Sequence, residues 1–199
     1  MKPNQFEYLV DALKSLPSIG TKVAERIAYF LINQDENYIN EFIKRIQKAK
    51  SEIRYCKQCN NFSSEELCSI CSNSSRDKKK LCIVSNIEDL NKIEQTNAFT
   101  GLYFVLNDEI NVKTNKKIES SIIKKFLNLL NEESFNEIIL ATNFTVNGEA
   151  TALFMKKIIN EVSSKTQVFR LAVGLPVNSA LDYADEFTLK NAIKNKTKF

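Results

Sequence analysis

Four cysteines spaced Cys56-x2-Cys59-x8-Cys68-x2-Cys71, in a chain that has no histidine, constrain what its middle can fold into more than any other feature. A Cys-x-x-Cys turn aims two thiolates at one point, and a second such turn closes a tetrahedral cage with no position left for water. The spacing therefore predicts a structural zinc site. Asn60 and Asn73 follow the two pairs, where such turns favour positive φ and Asn tolerates it. Two disulfides are the alternative reading. Against them, the opening residues MKPNQFEYLV hold no apolar run of a secretory signal, so a cytoplasmic location is expected, and five cysteines leave one over. The fifth, Cys82 in Leu81-Cys82-Ile83-Val84, reads as a small buried thiol on a strand.

At 199 residues the chain suits one domain or two small ones, and 43% hydrophobic with 26% charged residues can bury a core. No segment reaches the 18 or so apolar residues of a membrane span, so no membrane role is expected. A net charge of +4 permits polyanion binding without demanding it. The basic residues gather at 44–50, 76–80 and 190–198, where solvated faces and phosphate contacts are equally good readings.

The first fifty or so residues read as helices. Phe6, Leu9, Val10, Leu13 and Leu16 repeat at helical spacing, followed by Val23, Ala24, Ile27 and Leu31, then Phe42, Ile43, Ile46 and Ala49. The break at Pro17 to Gly20 makes the first pair a helix-hairpin-helix unit. After the cysteines, strands alternate with helices: strands at 81–84, 102–106, 137–142 and 166–171, helices at 87–95, 118–130 and 149–161, then a loop through Pro176 into a lysine-rich terminal helix. That alternation predicts a mostly parallel sheet covered by crossover helices.

The hairpin turn leads into a helix N-terminus, where unpaired N–H groups and the positive end of the dipole suit a phosphate oxygen. Gly20 and Thr21 lie at this start, and Lys22 and Arg26 share one face, placed to flank a phosphate without reading bases. A hairpin used only for packing or dimerisation is the competing reading, and it extends to a zinc-ribbon interaction protein that makes no DNA contact. Further on, Ile138-Ile139-Leu140-Ala141-Thr142 runs into Asn143-Phe144-Thr145-Val146-Asn147-Gly148-Glu149, a strand ending in a polar loop, which is where α/β sheets place ligands. This segment resembles the Toprim strand-loop-helix of topoisomerases and primases, whose two aspartates hold magnesium. Asn143 and Thr145 stand in their places, and both are poorer magnesium ligands than carboxylates. Ser85 stands where the fold carries a glutamate after its first strand. Glu88 and Asp89 just beyond it read as first-turn acids favourable to a helix dipole. A magnesium-dependent Toprim enzyme is thus the alternative function, short of its metal clamp.

The order of the hairpin, the four cysteines leading to Arg76-Asp77, the altered Toprim loop, and Arg170-Leu171-Ala172-x-Gly174-Leu175-Pro176-Val177 with Tyr183-Ala184-Asp185-Glu186 resembles the RecR family, the recombination mediators of bacteria, over nearly the whole chain. The resemblance implies an α/β protein of four parts: an N-terminal helix-hairpin-helix (1–53), a small four-cysteine zinc finger (54–77), a Toprim-like mostly parallel sheet with flanking helices (78–170) and a C-terminal helical segment (171–199). It implies a non-enzymatic DNA-repair protein needing no magnesium or nucleotide. Such a protein forms a ring-shaped homo-oligomer, expected as a tetramer, through its hairpin and C-terminal regions. It works with RecO, and in some settings RecF, to load RecA on gapped or single-stranded DNA. Lys22 and Arg26 become the DNA-facing residues and Asn143 and Glu149 the partner surface, while the cysteines stay structural. Ser18 departs from the family's glycine, with Gly20 expected to hold the positive φ. Ser85, Asn147 and Val173 replace a glutamate, a glutamate and a histidine.

Overall fold

The computed structural model describes residues 3–178 and 180–196, so the end of the basic tail read at 190–198 lies outside it. The chain divides into two compact units, Met1–Ile53 and Arg54–Phe199.

The first unit is three helices: α1 (Asn4–Lys14), α2 (Thr21–Ile32) and α3 (Glu36–Glu52). Phe6 and Val10 of α1 meet Ala24 and Ala28 of α2 in a small buried core, which Leu9, Leu13 and Ile19 border. The two alanines let the helices approach closely, since a larger side chain there would hold them apart. α3 is capped by Asp35, whose carboxylate accepts from the Tyr38 N–H at 2.8 Å. It buries no residue, and Phe42, Ile43 and Ile46 stay about half exposed. With Leu9, Leu13 and Leu31 they line an apolar groove of about 860 Å³.

The second unit begins with a two-stranded antiparallel ribbon, β1 (Arg54–Tyr55) and β2 (Phe62–Ser63), which frames the first cysteine pair. There follow β3 (Asp77–Val84), α4 (Ile87–Gln95), β4 (Gly101–Val105), α5 (Ser120–Glu132), β5 (Glu137–Ala141), α6 (Val146–Val162) and β6 (Gln167–Arg170), then a short 3₁₀ turn and α7 (Glu186–Lys194). The four long strands form one parallel sheet in the order β4-β3-β5-β6. A parallel sheet needs cover on both faces, and the run Leu81-Cys82-Ile83-Val84 is buried on both. One face carries Leu81, Ile83, Leu102, Phe104 and Ile138 against α5 and α6. The other carries Cys82, Val84, Tyr103 and Val105 against α4 and the four-cysteine segment. The predicted α/β class, the hairpin, the parallel sheet with its helices and the C-terminal helix are all present; β3 starts earlier than expected, at Asp77, because a register shift before Leu81 lets it continue.

Candidate metal centre and nucleic-acid interface

Cys56, Cys59, Cys68 and Cys71 are all buried, and their sulfurs lie within 4.8 Å of one another, with Cys59 and Cys68 at 3.5 Å. Four sulfurs around one ion at about 2.3 Å stand roughly 3.8 Å apart, so the spacing suits a tetrahedral thiolate cage. Backbone N–H groups already point at this sulfur cluster, from Asn61 to Cys59 at 3.4 Å and from Cys68 to Cys56 at 3.3 Å. The thiols cannot all ionise side by side without a cation: bonds from Cys59, Cys68 and Cys71 hold Cys56 far below the ordinary thiol range, while bonds to Cys56 hold Cys59 and Cys71 far above it. The donor set is thiolate only, which selects a soft metal and leaves no open position for chemistry. Asn60 has the expected positive φ, 63°, but Asn73 is absent from the positive-φ residues; its carboxamide oxygen instead accepts from the Ser75 N–H at 2.9 Å and folds a local turn. Cys82 is buried on β3, where burial pushes its thiol up to about 12 and leaves it inert.

In the hairpin the turn Leu16–Ile19 closes with the Ile19 N–H donating to the Leu16 carbonyl at 3.3 Å. Pro17 and then Ser18, at φ 64°, occupy its centre, the pattern of a type II turn that asks for glycine third. The left-handed residue is therefore Ser18 and not Gly20, whose φ of −83° is extended and open to any residue. Gly20 is the N-cap of α2 and carries no capping side chain, so the first-turn N–H groups are left for solvent or a ligand. Thr21, Lys22 and Arg26 are exposed there. Among the described residues neither Lys22 nor Arg26 has an ion-pair partner.

Part of the basic run at 76–80 has a different use. The Arg76 guanidinium, only 13% exposed, grips Glu94 with two bonds of 2.7 and 3.0 Å and donates to the Gly101 carbonyl at 2.7 Å. Lys79 donates to the Ser134 carbonyl at 3.1 Å, and Lys80 pairs with Asp77. Arg76 and Lys79 thus tie the start of β3 to its neighbours.

At the opposite end of the strands, Asn143 lies on the loop after β5 and Glu149 in the first turn of α6. The carboxylate of Glu109, on the loop after β4, fills the space between Ser85 and Asn143. One of its oxygens accepts from Ser85 Oγ at 2.6 Å, from the Asn143 N–H at 2.9 Å and from Asn143 Nδ2 at 3.0 Å. The neutral residues at 85 and 143, read as losses from a magnesium site, are thus donors to an internal carboxylate. Glu149 accepts from Arg170 at 2.8 Å, and the same guanidinium holds the carbonyls of Leu140, Thr142 and Asn143 and lies 4.3 Å above the Phe144 ring. Gly148, in the first turn of α6, passes so close to Asn143 that a Cβ would meet its carbonyl oxygen at 2.1 Å, which fixes glycine at this position. Asp89 is the N3 residue of α4, its N–H held by Asn86 at 2.7 Å. Burial first, and Glu109 second, push its carboxyl up, and one of its oxygens is buried without a partner, so the dipole benefit expected for it does not prevail.

Glu109 and the anchoring roles of Arg170 and Asn60 escaped the sequence reading. Asn107-Asp108-Glu109 directly follows a strand, and its place at the C-terminal end of a parallel sheet was the available signal.

Family models match the chain in four consecutive stretches: a RecR helix-hairpin-helix over residues 6–50, a RecR four-cysteine zinc finger domain over 53–73, a Toprim domain over 79–172 and a RecR C-terminal region over 174–197. Recombination protein RecR of Ureaplasma urealyticum serovar 10 is 48% identical over 99% of this chain and 98% of its own length. The chain belongs to the RecR family. Its likeness to RecR extends to Recombination protein RecR of Ureaplasma parvum serovar 3, 46% identical over the same shares, and to that of Streptococcus suis, 36% identical over 98% of each chain. The RecR zinc-finger match and the geometry agree that the four cysteines form a structural metal site, for which zinc is the fitting ion. Among the described residues no helix is long and apolar enough to cross a membrane.

Proposed function

We propose that this chain is a non-enzymatic, DNA-binding recombination mediator of DNA repair. It assembles in the cytoplasm as a ring-shaped homo-oligomer, a tetramer, around single-stranded, gapped or duplex DNA without sequence preference. With a RecO-type partner, and RecF in some settings, it helps load RecA. Its working parts are the hairpin (1–53), the zinc finger (54–77), the Toprim domain (78–170) and the C-terminal segment (171–199).

The observation that carries the reading is the start of α2. An uncapped helix N-terminus with Gly20 and Thr21, flanked by exposed and unpaired Lys22 and Arg26, forms a phosphate site in a chain similar over its whole length to proteins named for recombination. The apolar face of α3 supports self-association, since an amphipathic helix that buries nothing in its own unit has its face free for another copy. For the partner surface, Asn143 and Glu149 are the candidates. Their exposed edges lie beside internal bonds to Glu109 and Arg170, which hold the loop in one shape for docking. No magnesium or nucleotide enters this mechanism; zinc is structural.

The test combines two assays. Mobility shift at low salt should show the protein retaining single-stranded oligonucleotides, and RecA loading onto gapped DNA coated with single-strand binding protein should require the protein together with RecO. Glu149→Gln should weaken RecO capture while leaving the shift intact. Retention of no oligonucleotide would leave only a zinc-ribbon interaction protein. Magnesium-dependent cleavage or synthesis, abolished by changing Glu149, would favour the Toprim-enzyme reading, for which Glu109 is the carboxylate between Ser85 and Asn143, although three donors already occupy one of its oxygens.

A further inference from the structure

We propose that Asn60, beside a metal ligand, is a positioning residue for the Toprim pocket: it joins the zinc centre to the outer strand of the sheet and, through that strand, sets where Glu109 meets Asn143. β4 is the first strand in the order β4-β3-β5-β6, so its outward backbone groups would face water. At Val105 they do not. The Val105 N–H donates to the Cys59 carbonyl at 2.8 Å, and the Val105 carbonyl accepts from Asn60 Nδ2 at 3.1 Å. Two consecutive residues of the metal turn therefore stand in for a fifth strand at this point.

The rest of Asn60 is equally committed. It is 2% exposed, its φ is 63°, and its Oδ1 accepts from Lys125 Nζ of α5 at 2.6 Å. The same ammonium donates to the Cys56 carbonyl at 3.3 Å, and it offsets charge beside a cage of four thiolates, which with a divalent ion carries formal charge −2. Position 60 requires left-handed backbone, a donor facing β4 and an acceptor facing α5, a combination that asparagine supplies.

Val105 is the last residue of β4. Leu106 N–H donates to the Val84 carbonyl at 3.0 Å, Asn107 turns the chain at φ 62°, and Glu109 then reaches Ser85 and Asn143. The far side of the loop is held separately, by the Ile110 N–H on Thr151 Oγ1 at 2.8 Å. Glu109 is thus suspended between α6 and a strand end whose outer side the metal turn fixes. With the thiolates released, the turn loses its geometry and that side of the suspension loosens. No DNA or partner enters the argument, so it stands apart from the mediator reading.

The experiment is residue-resolved amide hydrogen exchange by NMR on the full zinc-loaded chain, with metal content measured. Asn60→Gly keeps the left-handed backbone and deletes only the carboxamide. It should retain zinc and speed exchange at both Val105 and Asn143 by about fivefold or more, the effect of losing the one modest hydrogen bond to the Val105 carbonyl, while Gln167, bonded to the Asn136 carbonyl, is unchanged. Glu109→Ala should speed Asn143 alone. If Asn60→Gly loses zinc, Lys125→Met, which frees Asn60 Oδ1 and the Cys56 carbonyl but leaves every residue of the metal turn in place, should give the same pattern in smaller degree. Faster exchange at Val105 with Asn143 unmoved would overturn the proposal, as would a uniform rise that includes Gln167.

Discussion

Ser18 shows how one residue can carry a local cost. A side chain at φ 64° in the third place of a type II turn is strained, and left-handed backbone disfavours non-glycine residues by about 1 kcal/mol or more. Ser18→Gly should therefore raise the stability of the hairpin unit by roughly 0.5–1 kcal/mol, net of the added freedom of the unfolded chain. Urea denaturation followed by circular dichroism would show it; a lower midpoint would mean the turn is not strained. Asp89 offers a test in pH. Its carboxyl is raised by burial and by Glu109. A carboxyl raised in the folded state favours folding most when protonated, below the ordinary carboxylate range, and that contribution is lost as pH rises through the folded value. Asp89→Asn should accordingly melt higher than the parent at neutral pH, by roughly 2 °C, with the difference vanishing in acid. An equal difference at both pH values would assign the effect to packing.

Elements were legible to different depths, for physical reasons. α4 was readable to its bounds because Asn86 caps it and apolar residues repeat along one face. The parallel sheet was readable because alternating apolar runs and amphipathic helices leave few other topologies. The metal turn was readable because cysteine spacing fixes local geometry. The Toprim pocket was only half readable: absent acids at 85 and 143 could be seen, but the acid that fills their place comes from a loop 24 residues beyond Ser85, and such a contact leaves no periodic trace. Placing the positive φ on Gly20 followed residue preference, whereas the turn's hydrogen bond puts it on Ser18. At this scale the metal centre makes the next prediction. Stripping zinc with a chelator, or Cys59→Ser, should lower the melting temperature by roughly 10 °C or more, since structural zinc contributes folding free energy directly. Zinc retention should also fall as pH is lowered, because protons compete for the thiolates. A chelator that removed the metal without moving the melt would contradict a folding role.

For the whole molecule, the proposed ring depends on surfaces that one copy leaves open. α3 presents Phe42, Ile43 and Ile46 at 46%, 45% and 55% exposure, and a helix that buries nothing in its own unit gains most from a second copy. Changing Phe42 and Ile46 together to Asp should reduce the assembly to smaller species by light scattering while circular dichroism stays unchanged; an unaltered mass would place the interface elsewhere. In the proposed ring, a modest charge of +4 per chain would suffice to hold a polyanion, since several phosphate sites on one assembly would act at high effective concentration.

The most direct test is affinity for a single-stranded oligonucleotide measured across a salt series, for the parent and for a Lys22→Glu, Arg26→Glu variant of the same assembled mass. A molecule that surrounds DNA through its hairpins should bind in dilute buffer, weaken steeply as salt rises, and lose about tenfold or more in affinity on charge reversal, with a shallower slope. Equal affinity and equal slope in parent and variant would contradict it.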